Sequence, residues 1–510
     1  MSIDLDRTEE AAPRATRREW VGLAVLALPT LLLSLDVSVL YLALPQLSAD
    51  LGASSTQQLW ISDIYSFMIA GFLVIMGSLG DRIGRRRLLL VGGAAFAACS
   101  VLAAYSTSPE MLIVSRALLG IAGASLMPST MALIRTMFLD PKQMAVALSI
   151  WFSCFMGGMT LGPLVGGALL EQFWWGSAFL LGVPVMLLLL TVGPGLLPEH
   201  REGVAAGRLD LASVALCIAA VLPAIYGLKE FARDGAGTVP VATLAIGIAL
   251  GATFVRRQRR LADPLLDLRL FANRRFTVSL GAFLLVGVVM AGISFAAAQY
   301  LQLVLGLSPL TAGLWLIPQN VAMVTATLLA PRLAQRFSTP DLLAAGLGLA
   351  GAGLLLLTQV GADGLALQVT ALTVSAFGVG VPMALVMTLI LAAAPPDRAG
   401  SASALSETSG EFGIALGVAA LGSTAVAVYS GRIDELLPAG APEPLVAAAH
   451  ESLAATAAAV ASPATADAGF GDAVLFAAQT AFTSGFNVVG AVGGIVMIAV
   501  AVVSRAMLRG

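Results

Sequence analysis

Runs of about 20 or more apolar residues recur along the whole length of this chain, and that repetition constrains the fold more than any single motif. At ~1.5 Å of rise per residue, a helix of ~20 residues crosses the hydrocarbon core of a bilayer. Of the 510 residues, 58% are apolar and only 11% are charged. A soluble domain carries roughly 25% charged residues. A soluble chain of this composition would have nowhere to put its surplus apolar side chains, so a bilayer is its solvent. Helices are the spanning element that fits. An open sheet leaves backbone groups unpaired in lipid, and barrel strands alternate in polarity rather than run apolar. The runs predict fourteen spans, at 20–43, 57–79, 87–106, 109–134, 143–170, 175–197, 209–228, 239–255, 276–302, 309–331, 341–360, 364–393, 401–429 and 481–504.

Orientation follows from the basic residues. With the N-terminus inside, 24 of the 28 Lys and Arg fall on the inner side. Only Lys229, Arg233 and Arg432 fall outside, and Arg116 lies within a span. That asymmetry is a positive-inside signal, and it supports an even span count with both termini cytoplasmic. The longest basic loop, 256–275, divides the chain into six spans, two spans and six spans. The expected organisation is a cytoplasmic N-tail at 1–19, a six-helix bundle at 20–197, two additional spans with the basic loop at 198–275, and a second six-helix bundle at 276–510. A faded repeat agrees with two bundles. Leu79-Gly80-Asp81-Arg82 followed by Leu88-Leu89 has a counterpart in Leu333-Ala334-Gln335-Arg336 followed by Leu342-Leu343. Transporters are commonly built from such repeated halves with the site between them. The segment 430–480 is external, rich in Ala and Pro and too interrupted to span. It reads either as a short amphipathic hairpin over the outer face or as a mostly disordered connection.

Soluble chemistry finds no foothold. Cys99, Cys154 and Cys217 lie in apolar stretches without metal-ligand spacing, and His200 and His450 lie in polar connections. No metal site, catalytic triad or nucleotide-binding loop is present in the pattern, so an enzyme is not expected. The apolar run after the arginine-bearing N-tail is too long for a signal peptide and reads as a retained first span.

Three motifs carry more specific information. The loop after span 2 reads Gly77-Ser78-Leu79-Gly80-Asp81-Arg82-Ile83-Gly84-Arg85-Arg86-Arg87. Its glycines permit a tight turn and close helix approach, and Asp81 can exchange partners between conformations. In span 5, Gly158, Gly162 and Gly166 repeat every four residues and form one smooth face, with Pro163 able to bend the helix and Gly167 beside it. Span 1 contains Leu35-Asp36-Val37-Ser38-Val39-Leu40-Tyr41-Leu42-Ala43-Leu44-Pro45. With these residues the chain resembles the major facilitator superfamily. The span-5 stretch resembles the motif of its antiporters. The span-1 stretch is similar to the opening motif of the fourteen-spanner drug:proton antiporter group, with Ser38 and Tyr41 where Thr and Asn are usual. The nearest resemblance is to the quaternary-ammonium and dye exporters of that group, including mycobacterial-type efflux pumps. It implies an all-α, multi-pass major facilitator fold of two six-helix bundles plus two extra helices. It also implies a switching role for Gly77, Asp81, Arg82, Gly84, Arg85, Gly158, Gly162, Pro163, Gly166 and Gly167.

Five charges lie inside spans: Asp36, Asp63, Arg116, Glu407 and Glu411. A charge at mid-bilayer costs several kcal/mol, so each is a functional candidate. Helical rise places Asp36, Asp63 and Arg116 at one level in the outer half of the bilayer. Glu407 and Glu411 are four residues apart on one face of span 13, which carries no basic residue of its own. Proton binding is the simplest way to neutralise them. The plain alternative for each acid is a salt bridge that fixes packing, and Arg116 is an available static partner for Asp36. In the resembling exporters, acids at the positions of Asp36, Asp63, Glu407 and Glu411 serve proton coupling or cation recognition, and Arg116 falls on the superfamily's span-4 arginine. Some relatives also carry an acid in span 10. The stretch Leu316–Met323 has none here, so efficient handling of divalent cations is not expected. Near Asp63, Trp60 and Tyr65 suit cation–π contact with a delocalised dye, while an interfacial aromatic belt explains Trp60 equally well.

These readings converge on a proton-coupled antiporter in the cell membrane that exports lipophilic cations, with dyes, quaternary ammonium compounds and fluoroquinolones as expected cargo. It needs no cofactor beyond the proton gradient. It is expected to act as a monomer surrounded by lipid, without a nucleic-acid partner. An exporter of an endogenous metabolite, lipid or antibiotic using the same coupling is the alternative. The charge asymmetry makes a direct prediction. A reporter fused at Gly510 should read as cytoplasmic and a tag near Ala458 as external; a C-terminal reporter on the outer side would refute the even count.

Overall fold

The computed structural model describes residues 14–199, 210–234, 237–261, 268–361, 363–393, 399–462 and 469–509. Most of the N-tail, part of the 198–208 connection with His200, part of the basic loop, Arg398 and residues 463–468 lie outside the described residues. Among the described residues all regular structure is helical. In chain order the helices are α1 (Arg17–Leu51), α2 (Ser55–Ile83), α3 (Arg85–Ala104), α4 (Pro109–Gly123), α5 (Leu126–Met137), α6 (Pro141–Gln172), α7 (Ser177–Leu180), α8 (Gly182–Leu196), α9 (Leu211–Asp234) and α10 (Thr238–Gln258). They continue as α11 (Arg274–Gln299), α12 (Pro309–Trp315), α13 (Ile317–Ala334), α14 (Thr339–Leu356), α15 (Leu365–Ala393), α16 (Ala399–Leu436), α17 (Glu443–Glu451), α18 (Leu453–Val460) and α19 (Gly471–Leu508). Eleven helical stretches among the described residues are long and apolar enough to cross a membrane, or twelve with the bent α6. Helices α2 and α9 occupy the other two positions expected from sequence.

The boundaries have local causes. Thr16 with Glu19 and Ser54 with Gln57 form reciprocal capping boxes at the starts of α1 and α2. Ser108 and Ser308 accept backbone N–H groups just before a proline at the first helical position. Helices α2 and α3 are separated by one residue, Gly84, at φ +103°, a conformation other residues rarely adopt. In this turn Arg85 folds back over Gly80, where an added Cβ would come within 2.9 Å of Arg85 Cδ. The side chain of Asp81 lies outside the description. Helix α6 bends by 44° between Met159 and Leu161, next to Pro163, whose missing N–H frees the Met159 carbonyl.

The glycine face expected on α6 packs against α1. A Cβ on Gly158 would fall 2.1 Å from Ser34 Oγ and 2.3 Å from the Leu31 carbonyl oxygen; on Gly162 it would fall 1.8 Å from Ser38 Oγ. The neighbouring positions of α6 meet the second set of helices. Gly167 lies against Leu310, and Gly313 of α12 lies against the Pro163 carbonyl. Ser308 then donates to Glu171 at 2.7 Å. Helices α9 and α10 pair with each other, and α9 leans on both α2 and α16.

Charged side chains tie helix ends together at the arginine-rich end of the molecule. Arg86 at the start of α3 bonds Glu199 at 3.1 Å and the Leu197 carbonyl at the end of α8 at 3.1 Å. Asp341 at the start of α14 pairs with Arg505 at 3.0 Å and with Arg509, at the end of α19. These two ties sit next to the two copies of the faded repeat and join equivalent helices of each set, with the charges reversed.

Opposite that end, the 430–480 segment resolves in favour of the helical hairpin for its described part. It is also shorter than expected, because α16 continues to Leu436 and α19 starts at Gly471. The polar Asp434 and Glu435 stay in the helix, where Glu435 pairs with Arg432 at 3.1 Å, and exposed polar residues do not end a helix that projects into water. Leu445, Ala449 and Leu453 of α17 and α18 are buried. The hairpin is held by Tyr429 donating to the Ala449 carbonyl at 2.7 Å and by Ser55 of α2 donating to the Glu451 carbonyl at 2.6 Å.

The α1–α6 contact generates a matched test. Gly158→Ala forces its methyl into the α1 backbone and should lower the detergent melting temperature, in keeping with the roughly 1–3 kcal/mol cost of overpacking. Gly157→Ala, where an added Cβ meets nothing within 4 Å, should be neutral or slightly stabilising. Equal melting temperatures for the two variants would contradict this packing.

Candidate functional site

Between the N-terminal helices and the C-terminal helices lies a cavity with an empty volume of about 940 Å3, including its mouth. Its wall draws on α1 (Ser34, Val37, Ser38, Tyr41), α2 (Tyr65, Ile69), Gly123 and Met127, and α6 (Phe155, Met159, Pro163). Across from these stand Ser294 and Ala298 of α11, Leu316, Gln319 and Asn320 at the α12–α13 junction, and Glu411 and Ile414 of α16. Helix α1 reaches this position because the glycines of α6 let the two helices press together, and α6 in turn bends next to Pro163, which lines the cavity.

One charged centre sits behind the wall. The Arg116 side chain is fully buried, and its Nη1 donates to Asp36 Oδ2 at 2.6 Å. Nε donates to the Ile61 carbonyl at 3.2 Å, and the guanidinium carbon stands 4.4 Å from the centroid of the Tyr65 ring. Three helices, α1, α2 and α4, therefore meet on a single guanidinium. Asp63, also fully buried, lies between Ile61 and Tyr65 on α2 and within electrostatic reach of Tyr41. For Asp36 and Arg116 the common depth read from sequence describes neighbours in space. Burial of Arg116 is tolerated because its charge, two of its nitrogens and its face are engaged, while Nη2 is buried without a hydrogen bond.

A second centre belongs to α16. Glu411 reaches the cavity wall and is joined by the buried Ser66 hydroxyl of α2, so the two sets of helices touch through a carboxylate. Glu407, one turn away, stands within electrostatic reach of Glu411 and of Arg135 in the last turn of α5. Arg135 falls just past the predicted fourth span, 109–134, and sequence separation carries no information about its relation to Glu407. Asp36, Asp63 and Glu407 are not among the residues of the cavity wall, whereas Tyr65 and Glu411 are. Trp60 packs instead in a cluster with Phe67, Ala415, Ala419 and Phe412, where Phe67 meets Phe412 edge-on at 6.1 Å. Tyr41, Ser66, Phe155, Met127 and Met159 were not singled out as site residues from sequence. Of these only Tyr41 carried a signal, as the departure from Asn in the span-1 motif.

Among the described residues, no group of three or more His, Cys, Asp or Glu side chains is arranged to hold a metal ion. Two sets of membrane helices around a cavity with buried charges define a transporter, and the comparisons with known proteins give its class. The chain belongs to the Major Facilitator Superfamily, whose sequence profile matches residues 26–418. It is a multi-pass membrane transporter and not an enzyme. It is 44% identical over 504 residues to the multidrug efflux pump LfrA of Mycolicibacterium smegmatis, across 98% of this chain and 99% of that one. It is 34% identical over 450 residues to the methyl viologen resistance protein SmvA of Salmonella typhimurium, across 86% and 88%. A crystal structure of a bacterial homologue of the human lysosomal transporter Spinster, inward-facing and unoccupied, shares the fold with a TM-score of 0.70 at 18% identity, over 97% of this chain and 98% of that one.

The buried guanidinium makes its own prediction. Arg116→Ala leaves Asp36 without its partner and should cost about 3–5 kcal/mol of stability, read as a lower melting temperature in detergent. Arg116→Lys should recover only part of it, because a lysine cannot bond the Ile61 carbonyl and stack on Tyr65 at once. Full recovery by lysine would mean that charge alone matters at this position.

Proposed function

We propose that this protein is a proton-driven exporter of lipophilic monovalent cations and belongs to the fourteen-spanner drug:proton antiporter group. The single observation that supports this best is the position of Glu411, an acid in the wall of an otherwise largely apolar cavity between the two sets of helices. The names of the relatives, a multidrug efflux pump and a methyl viologen resistance protein, agree with efflux of foreign small molecules. In this reading both termini are cytoplasmic, residues 20–197 and 276–510 form the two rocking bundles, and α9 and α10 are the additional pair outside them.

The mechanism is alternating access. A cation enters from the cytoplasm or inner leaflet and settles against the deprotonated carboxylate of Glu411, with aromatic and thioether groups of Tyr65, Phe155 and Met159 around it. Protons arriving from outside neutralise the acids and release the cargo. The Asp36–Arg116 pair with Asp63 is the second charged centre assigned to proton coupling, and its ion pair can exchange partners as the bundles rock. The close glycine contacts of α6 with α1 and α12, and the arginine-rich turn after α2, are the surfaces that re-form as the bundles rock. Moving one charge against 100 mV costs ~2.3 kcal/mol, so one proton exchanged for one monovalent cation draws only on the pH gradient. Two protons, which Glu407 and Glu411 together accommodate, draw on the voltage as well. Gln319 and Asn320 are neutral amides in the wall, so monovalent dyes should be carried better than dications such as methyl viologen.

In proteoliposomes, a pH gradient should drive ethidium efflux, while neutral and anionic dyes of similar size should move poorly. Preferential movement of the neutral or anionic dyes would favour a metabolite, lipid or antibiotic exporter instead. Cargo and protons compete in this mechanism. Ethidium binding to the solubilised protein should therefore release protons and weaken as pH falls, because protonation removes the charge that attracts the dye. The double variant Glu407→Gln and Glu411→Gln should flatten that dependence and abolish uphill export while remaining folded. Unchanged export by the double variant would move the coupling site to Asp36 and Asp63.

A further inference from the structure

Tyr41 has no part in the coupling scheme, yet it holds one of the most constrained positions in the cavity wall. It is 8% exposed, and its ring meets Phe295 of α11 edge-on at 6.0 Å and 85°. Contact with the opposite set of helices thus fixes its direction. Its hydroxyl makes no hydrogen bond in the structure, and the same holds for the Tyr65 hydroxyl and for Glu411 Oε2 on the same wall. The hydroxyls of Ser34 and Ser38, also in the wall, are occupied by carbonyls of their own helix at 2.9 and 3.1 Å. Most of the remaining lining is carbon or sulfur, including Leu33, Val37, Ile69, Met127 and Met159.

We propose that Tyr41 is a specificity-determining residue whose hydroxyl reads a hydrogen-bonding group on the cargo, so that the cavity prefers aromatic cations bearing N–H or oxygen groups over equally charged cations with none. The proposal rests on the cation-export reading of this cavity. In this structure the hydroxyl is shut off from water and has no hydrogen-bond partner. When a cargo occupies the cavity it either partners this hydroxyl or leaves it unpaired, and a buried group left unpartnered is strongly disfavoured. Attraction to Glu411 is common to all monovalent cations and cancels in a comparison between them; the hydroxyl does not cancel. A site built around a polar group discriminates far more sharply than one that only offers shape. Tyr65 is the poorer probe, because its ring also covers Arg116.

The test measures binding of ethidium, which has two exocyclic amino groups, and of tetraphenylphosphonium, which has none, to the full-length protein in detergent. Wild-type protein should prefer ethidium. Tyr41→Phe keeps the ring against Phe295, and it should weaken ethidium while leaving tetraphenylphosphonium unchanged or tighter, shifting their ratio by about tenfold. Tyr41→Gln restores a hydrogen-bonding group without the ring and should restore the ethidium preference. A parallel loss of both cations in Tyr41→Phe at unchanged melting temperature, or no change in either, would overturn the proposal by reducing Tyr41 to a packing residue. Failure of the wild-type protein to bind either cation would instead overturn the cation-export reading and this proposal with it.

Discussion

A guanidinium removed entirely from water in the middle of a membrane protein needs an opposite charge and hydrogen-bond acceptors, and the architecture of the N-terminal helices follows from how Arg116 finds them, with Nη2 alone left without a hydrogen bond. Asp36 supplies the opposite charge at 2.6 Å, the Ile61 carbonyl accepts from Nε at 3.2 Å, and the Tyr65 ring covers the face at 4.4 Å. Each partner comes from a different turn of α1 or α2. The orientation of both helices about α4 is therefore set by one side chain. The ion pair itself adds little net stability over an apolar replacement. What it confers is a buried charged centre on which three helices meet.

Close approach of helices is the second condition, and glycine makes it possible without any hydrophobic driving force in lipid. On α6 one face serves α1 through Gly158, Gly162 and Gly166, while Gly167 and Pro163 meet α12. The same pattern recurs among the C-terminal helices, where Gly417 lies against the Val288 carbonyl and Gly351 against the Gly494 carbonyl. Contacts of this kind are smooth and carry few directional bonds, so one helix can slide or rock on another at small cost. Apart from the Arg116 centre, directional contacts are found at the two ends of the molecule: Arg86 with Glu199 and Asp341 with Arg505 at one end, Ser308 with Glu171 and Ser55 with Glu451 at the other.

The cavity between the two sets of helices combines low polarity with a few fixed polar atoms. Glu411 is shared between them through Ser66, and Tyr41 touches Phe295 across the same divide. Any motion that separates the helices must therefore change the surroundings of an acid and of an aromatic ring together. That is the physical requirement for linking occupation of a site to a conformational change.

The chain's class was legible from sequence because it depends on local quantities. The length and apolarity of each run select a helix, and the predicted spans coincide with the helices to within a few residues at most ends. Serine before proline, glycine at the α2–α3 turn and the four-residue glycine repeat each act within one or two turns, so their consequences could be read directly. The embedded acids stood out for the same reason, since a charge in an apolar run is costly wherever it lies. Pairing was a different matter. Arg135, just past the predicted fourth span, stands within electrostatic reach of Glu407; Trp60, suited by sequence to cargo or to an interfacial belt, packs with Phe67 and Phe412; Tyr41 lines the cavity. A helix presents several faces, and burial in lipid makes all of them apolar, so the pattern along α1, α2 or α16 does not reveal which face looks inward. Only the packing of the two sets of helices against each other decided that, because it joins residues hundreds of positions apart whose relation no local period records.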